Sequence, residues 1–378
     1  MRSKLPKSNT TIFATMSDLA KRCNAINLSQ GFPNYSSQPN LFDLVNRYMH
    51  EGFNQYAPLN GVEPLRQAIA QKINKLYRRK IDIDKEICIT AGATQAVYTA
   101  IQMMVHPGDE VIIFDPAFDI YAPAVKMAGG KIVRIPTHYP HFDIDWDRVN
   151  DAINSKTQLI IINSPNNPTG KTLSSDDILA LEQIVKQNDL FILSDEVYEH
   201  MVFDGRKHHS ILSSSILYNR SIVTFSFGKT FHNTGWKVGY AVGPDYLMSE
   251  FKKLHQFIVF SVNTPVQYAL ADYLSEEVHY THLSEVYQTK RDQFLSLMKD
   301  ARFHFLPTNG TYFQLLNYAE ISHLSDMEFA IELTQKHGIA TIPLSPFYEK
   351  PTEQKLIRVC FAKTPDVLIA AAEKLCKI

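Results

Sequence analysis

The sequence predicts an α/β protein, with a large domain built on a mainly parallel sheet flanked by helices and a smaller α+β domain beside it. Short apolar, β-branched runs at 86–90, 111–114, 159–163, 190–194, 221–225 and 239–243 read as buried strands. Between them lie helix-length stretches of polar and apolar periodicity, such as 94–104 and 174–187, the second opened by Ser174 and Asp177 as a start signal. Regular alternation of the two element types means a sheet covered by helices on both faces. The pattern changes near Thr264: 265–275 and 283–299 look helical, and then strands at 310–316 and 355–361 alternate with helices at 327–337 and 365–375. That is the smaller unit. The first residues, including the loop 30–39, carry too few core positions to stand alone, so 1–45 are grouped with 276–378 and 46–275 form the large domain.

Composition narrows the function. A chain of 378 residues suits a two-domain enzyme, and 45% hydrophobic with 20% charged residues is ordinary globular usage. Lys plus Arg (38) nearly balance Asp plus Glu (39), so there is no strong field to hold a nucleic acid and a small-molecule partner is favoured. Cys23, Cys88, Cys360 and Cys376 lie far apart without a CxxC pair, which suggests neither a disulfide framework nor a zinc site and fits a reducing cytoplasm. The N-terminus lacks an apolar signal core. The longest apolar runs, such as 159–162, fall far short of the roughly 20 residues that span a bilayer, so no membrane partner is expected.

The sharpest chemical feature is Ser226-Phe227-Gly228-Lys229-Thr230, directly after a strand. A lysine there stands at a carboxyl end of the sheet, where open α/β folds place their ligand crevice. It becomes a nucleophile toward an aldehyde when burial or neighbouring cations disfavour its ammonium form; taken alone, a lysine is more often a solvated surface charge. Lys237 follows in Thr234-Gly235-Trp236-Lys237-Val238-Gly239. With the Ser226 hydroxyl and the free backbone N–H groups at Gly92-Ala93-Thr94, it can hold one phosphate. The plainer reading of Ala93 and Thr94 is a helix start without a ligand.

Asp195 closes an apolar run three residues before Tyr198, so both can emerge into the same crevice. A carboxylate there needs a cationic partner, although an acid capping the next helix would look the same. Asn167, in Asn166-Asn167-Pro168-Thr169-Gly170, follows another strand and could donate through its amide, or simply make a turn. Phe118, in Asp115-Pro116-Ala117-Phe118, could lie flat on a planar ring, though core packing is the commoner fate. Arg358 sits in the apolar stretch 357–361 and, if buried, calls for a carboxylate, from a substrate or from the protein.

Taken in order along nearly the whole chain, these segments resemble fold-type I pyridoxal-phosphate enzymes of the class I/II aminotransferase family. The resemblance is closest to the methionine aminotransferase and kynurenine or glutamine transaminase group, through Leu28-Ser29-Gln30-Gly31-Phe32-Pro33, Asn54-Gln55-Tyr56-Ala57-Pro58, Ser194-Asp195-Glu196-Val197-Tyr198 and the Lys229 segment with Trp236. It implies a seven-stranded-type sheet and pyridoxal 5'-phosphate as cofactor. Lys229 is then the Schiff-base lysine, Asp195 the partner of the ring nitrogen, Tyr198 and Asn167 the donors to the ring oxygen, and Phe118 the stacking ring. Ala93, Thr94, Ser226 and Lys237 match phosphate-binding positions. Gly31, Asn167 and Arg358 match the substrate carboxylate site. Tyr56 matches a residue that reaches the neighbouring subunit's phosphate, which implies a homodimer with shared sites. Many relatives carry Arg where this chain has Lys237, so the charge is kept and bidentate geometry lost.

The implied activity is ping-pong transfer of an amino group from an amino acid to a 2-oxo acid. Aromatic and apolar residues at Phe32, Tyr56, Phe118 and 255–261 suggest a pocket for methionine, aromatic or other large uncharged side chains. Kynurenine or glutamine transamination and β-elimination from cysteine conjugates are the alternatives on the same frame. A dinucleotide oxidoreductase is disfavoured by the lack of G-x-G-x-x-G after the first strand. A non-catalytic ligand sensor is disfavoured by the retained lysine.

Overall fold

The structure is a computed structural model that describes residues 3, 5, 10–350 and 354–378; the remaining part of the N-terminal stretch lies outside the described residues. Seven strands make the large sheet: β1 (Ile87–Thr90), β2 (Glu110–Asp115), β3 (Lys131–Pro136), β4 (Thr157–Asn163), β5 (Phe191–Asp195), β6 (Ser221–Ser226) and β7 (Gly239–Val242). Their spatial order is β1-β7-β6-β5-β4-β2-β3. β7 runs antiparallel to both neighbours, and the other pairs are parallel. Burial on both faces explains the continuous apolar runs: Ile160, Ile162 and Ile192 enter one core cluster, while Leu159, Ile161 and Leu193 enter another across the sheet.

Six of these strands fall within a residue or two of the runs read from sequence. β3 was not among them. It is an edge strand of half-buried residues interrupted by Lys131 and Arg134, so it lacks the apolar signature of its neighbours. The helix Ser175–Gln187 starts where expected, with Ser174 and Asp177 closing a reciprocal capping box.

The C-terminal unit carries an antiparallel sheet of β8 (Phe313–Asn317), β9 (Ile342–Pro343) and β10 (Leu356–Cys360), with β10 in the centre. β8 begins later than the expected 310–316, because Gly310 bridges to Val202 and Thr311 adopts a left-handed φ of 65°. Ile26–Asn27 pairs in parallel with Ile339–Ala340, and helix Ile12–Arg22 packs on helix Asp326–Lys336, so the chain's beginning is tied to this unit. Helix Pro39–His50 runs through residue 45 and packs on helix Thr264–Ser275.

Gly239 lets β7 press against the start of helix Ala93–Met104. A Cβ there would lie 2.5 Å from the Phe225 carbonyl oxygen and 2.9 Å from the Ala93 nitrogen, both backbone atoms that cannot swing aside. Gly239→Ala is therefore expected to destabilise the protein by about 1–3 kcal/mol in chemical denaturation. Unchanged stability would show that the strand and helix are not in this contact.

Candidate active site

The carboxyl ends of β4, β5 and β6 converge on a cavity of about 160 Å³, at the place where an open α/β sheet opens its crevice. Two groups of residues meet on its wall. Ala93, Thr94, Ser226 and Lys237 form one, and Phe118, Asn167, Asp195 and Tyr198 the other, with Lys229 also on the wall. All nine were singled out from sequence. Gly31, Arg358 and Tyr56 do not line this cavity: the first two join it through hydrogen bonds, and Tyr56 stands apart.

The first group is built from backbone as much as side chains. Gly92 has a φ of 77°, and a Cβ there would sit 3.4 Å from Lys237 Nζ, so the lysine lies directly over the start of a twelve-residue helix. Lys237 itself is held at φ 56° in the left-handed region, a strained setting for a lysine. Free N–H groups at the helix start and an ammonium beside them make an anion cradle.

Lys229 sits in a one-turn helix, Phe227–Thr230, capped by the Ser226 hydroxyl, which accepts from the Lys229 N–H at 3.3 Å. Its amine donates to the Gly31 carbonyl at 2.9 Å, which also accepts from the Tyr312 hydroxyl at 2.6 Å. Burial pushes the amine down to about 8, with the Arg358 cation adding to the effect. Asp195 accepts from the Tyr121 hydroxyl at 2.6 Å, and burial pushes its carboxyl up to about 6 against that hydrogen bond. Tyr198 is fully buried with its ring perpendicular to Tyr312 at 5.2 Å, and burial raises its hydroxyl so that it stays a donor.

Asn167 is fixed by its backbone N–H, which donates to Asn163 Oδ1 at 2.8 Å, and its own Oδ1 accepts from Arg358 Nη1 at 2.6 Å. Arg358 donates further to the Ser29 carbonyl at 2.9 Å and lies 3.8 Å from the centre of the Phe313 ring. Its Nε has no partner, and burial lowers the guanidinium to about 10. Asp195 and Arg358 are buried and Lys229 is half-buried with its amine withdrawn from solvent, yet among the described residues none makes a salt bridge. Buried charges without counter-ions are costly. The site is therefore electrostatically incomplete.

A molecule with an aldehyde, a basic ring nitrogen and a phosphate would complete it, and a carboxylate would satisfy Arg358. Pyridoxal phosphate and an amino acid have those groups. The residues present fit them: an amine of lowered proton affinity, a buried carboxylate, an anion cradle and a guanidinium with a free donor.

The fold and the site together define a pyridoxal-phosphate-dependent transaminase. A profile of the family "Aminotransferase class I and II" matches residues 24–375, and the chain belongs to that family. It is 47% identical over 375 residues to a methionine aminotransferase of Escherichia coli, covering 99% of this chain and 97% of that protein. It is 32% identical to a kynurenine–oxoglutarate transaminase of Dictyostelium discoideum, covering 97% and 94%. A crystal structure from Escherichia coli, described with a methionine aminotransferase function, superposes with a TM-score of 0.98 at 47% identity, covering 100% of this chain and 99% of that one.

Two findings differ from the sequence reading. The stretch 255–261 does not line the cavity: His255 is buried beside Gln95, while Phe257 is 87% exposed and Phe260 packs on Tyr56. Tyr121, Asn163 and Tyr312 belong to the site but were not foreseen. Tyr121 opens the helix Tyr121–Ala128, and nothing in its local pattern separates it from a core tyrosine.

Removing the cofactor exposes the pKa shifts to measurement. The labelling rate of Lys229 in the apoprotein by an acylating reagent is expected to titrate near pH 8 rather than the ordinary 10.5; a midpoint above 10 contradicts the burial argument. Asp195 binds its proton more tightly folded than unfolded, so apoprotein stability falls as pH rises from 3.8 toward 6. Asp195→Asn is expected to remove that slope in denaturation curves; an unaltered slope places its origin elsewhere.

Proposed function

We propose that the chain transfers the amino group of methionine, and of aromatic or other large uncharged amino acids, to a 2-oxo acid by a ping-pong cycle. The observation that carries this reading is the buried Lys229 amine, lowered to about 8 and facing the cavity. When bound, pyridoxal phosphate supplies an aldehyde for amines and an electron-withdrawing ring that stabilises negative charge at the substrate's α-carbon.

The chain's own residues do the rest. Lys229 would hold the cofactor through its aldehyde, and its amine, when free, would serve as the base that takes the proton from the substrate's α-carbon. Asp195 keeps the ring nitrogen protonated, its buried carboxylate gaining the cation it lacks. Tyr198 and Asn167 would donate to the ring oxygen, and Phe118 would pack against the ring. Ala93, Thr94, Ser226 and Lys237 hold the phosphate. Arg358 takes the substrate carboxylate together with Gly31 and Asn167, which fixes the α-carbon where Lys229 can reach its proton. The same arrangement runs in reverse on the acceptor.

Methionine is favoured by the 47% identical relative and by Phe118, Val97 and Ile120 on the cavity wall. Tyr56, 83% exposed beside Phe260, supports a homodimer in which it reaches the partner's phosphate site. Among the described residues no helix is long and apolar enough to cross a membrane, and the cysteines are unpaired, in keeping with residence in the cytoplasm. Residues 1–45 with 276–378 make the proposed small domain against 46–275, the helix Pro39–His50 crossing that boundary and packing on Thr264–Ser275 of the large domain.

Lys229→Ala is expected to abolish the visible absorption band of the loaded protein and lower turnover by at least about a thousandfold; normal turnover would refute the assignment. In a donor panel methionine should exceed aspartate by about tenfold or more in kcat/KM. Aspartate outpacing methionine would overturn the substrate reading, and pyruvate with ammonia from a cysteine conjugate, without an acceptor, would reveal lyase activity.

A further inference from the structure

The turn after β5 carries two more acids than the chemistry uses. Asp195 and Tyr198 line the cavity, whereas Glu196 and Glu199, each one residue further on, do not, and both are buried. Glu196 accepts from the Ser194 hydroxyl at 2.9 Å, the Ile211 N–H at 3.0 Å and His208 Nε2 at 2.8 Å. Glu199 is paired with Lys72 and accepts from the Tyr77 hydroxyl. His200 lies 3.4 Å from both members of the pair, and burial pushes it down to about 3, so it adds no charge.

Lys72, on helix Glu63–Tyr77, is itself buried and reaches further than this one acid. Its ammonium donates to the Tyr240 hydroxyl at 2.8 Å and stands 5.2 Å from the centre of the Phe225 ring. Tyr240 lies on β7, three residues beyond Lys237, and Phe225 adjoins Ser226 on β6. One ammonium thus joins the turn that bears Asp195 and Tyr198 to the strands that bear Ser226 and follow Lys237. Burial alone would raise the Glu199 carboxyl, but Lys72 brings it down to about 2, so that acid stays ionised in the folded protein.

A buried ion pair is a poor stabiliser, because desolvation offsets the attraction and apolar replacements of similar volume often do as well. Its geometry is what an apolar pair could not supply. We propose that Lys72 is a positioning residue, which ties the Asp195–Tyr198 turn to β7 through Glu199 and Tyr240 and so sets the spacing between the ring-binding and phosphate-binding ends of the site. The cofactor's ring and phosphate are a fixed distance apart, so a slack tie costs contacts at one end or the other. This rests on the cofactor reading above.

The test compares holoenzymes of the parent, Lys72→Met, Lys72→Met/Glu199→Gln and Tyr198→Phe. The double variant strands no charge and covers the case in which Lys72→Met alone does not fold. Loss of the Tyr198 hydrogen bond should raise the pH midpoint of the visible band, since that bond lowers the proton affinity of the nitrogen on Lys229. The double variant is expected to move the midpoint in the same direction by about half a unit or more. In the apoprotein, amide exchange at 196–201 should quicken by about tenfold. A double variant with the parent's midpoint and exchange rates overturns the proposal, whatever its melting temperature, because a purely structural pair would change only the latter. If Tyr198→Phe itself leaves the midpoint in place, the cofactor reading fails first and takes this inference with it.

Discussion

Everything in this protein depends on bringing an amine, a carboxylate and a guanidinium into one water-poor crevice without letting them neutralise one another. Asp195 and Arg358 are buried, Lys229 is half-buried with its amine withdrawn from solvent, and each spends its hydrogen bonds on neutral groups: the Gly31 carbonyl, the Tyr121 hydroxyl, the Asn167 amide and the Ser29 carbonyl. Neutral partners orient a charge without quenching it. The amine therefore stays low in proton affinity, the acid stays high, and the arginine keeps a donor free.

The sheet makes this possible. Parallel β4, β5 and β6 end side by side, so residues far apart in sequence leave their strands at one edge and in one direction. Each exit is then locked by short-range chemistry: Asn163 holds the Asn167 backbone, Ser226 caps the Lys229 turn, and Gly239 lets the helix Ala93–Met104 approach β7. The small unit closes the arrangement from the other side, since Arg358 comes from the central strand of its sheet and Tyr312 from the residue before β8. Charge, orientation and closure thus come from three different levels of the fold.

Much of this was legible in the sequence, and the exceptions have a common physical cause. Strands buried on both faces announce themselves as unbroken apolar runs, which is why β4 and β5 could be placed while the half-exposed β3 could not. Lys229, Asp195 and Asn167 stood out because each comes within four residues of the end of such a run. Tyr121, Tyr312 and Lys72 sit in ordinary helical or strand context, and their roles arise only when distant segments meet. Lys72 illustrates this well: in Gln71-Lys72-Ile73-Asn74 it reads as one more surface lysine, yet it is buried against Glu199, 127 positions away. The stretch 255–261 errs the other way, since it does not line this chain's cavity and its aromatic residues Phe257 and Phe260 are exposed.

Reduction of the loaded protein with borohydride, followed by peptide mapping, tests the central claim most directly. The account predicts the cofactor's mass on a single peptide, at Lys229, and its disappearance when cofactor is removed before reduction. Recovery of that mass on Lys237, on Lys72 or on no lysine at all would contradict it.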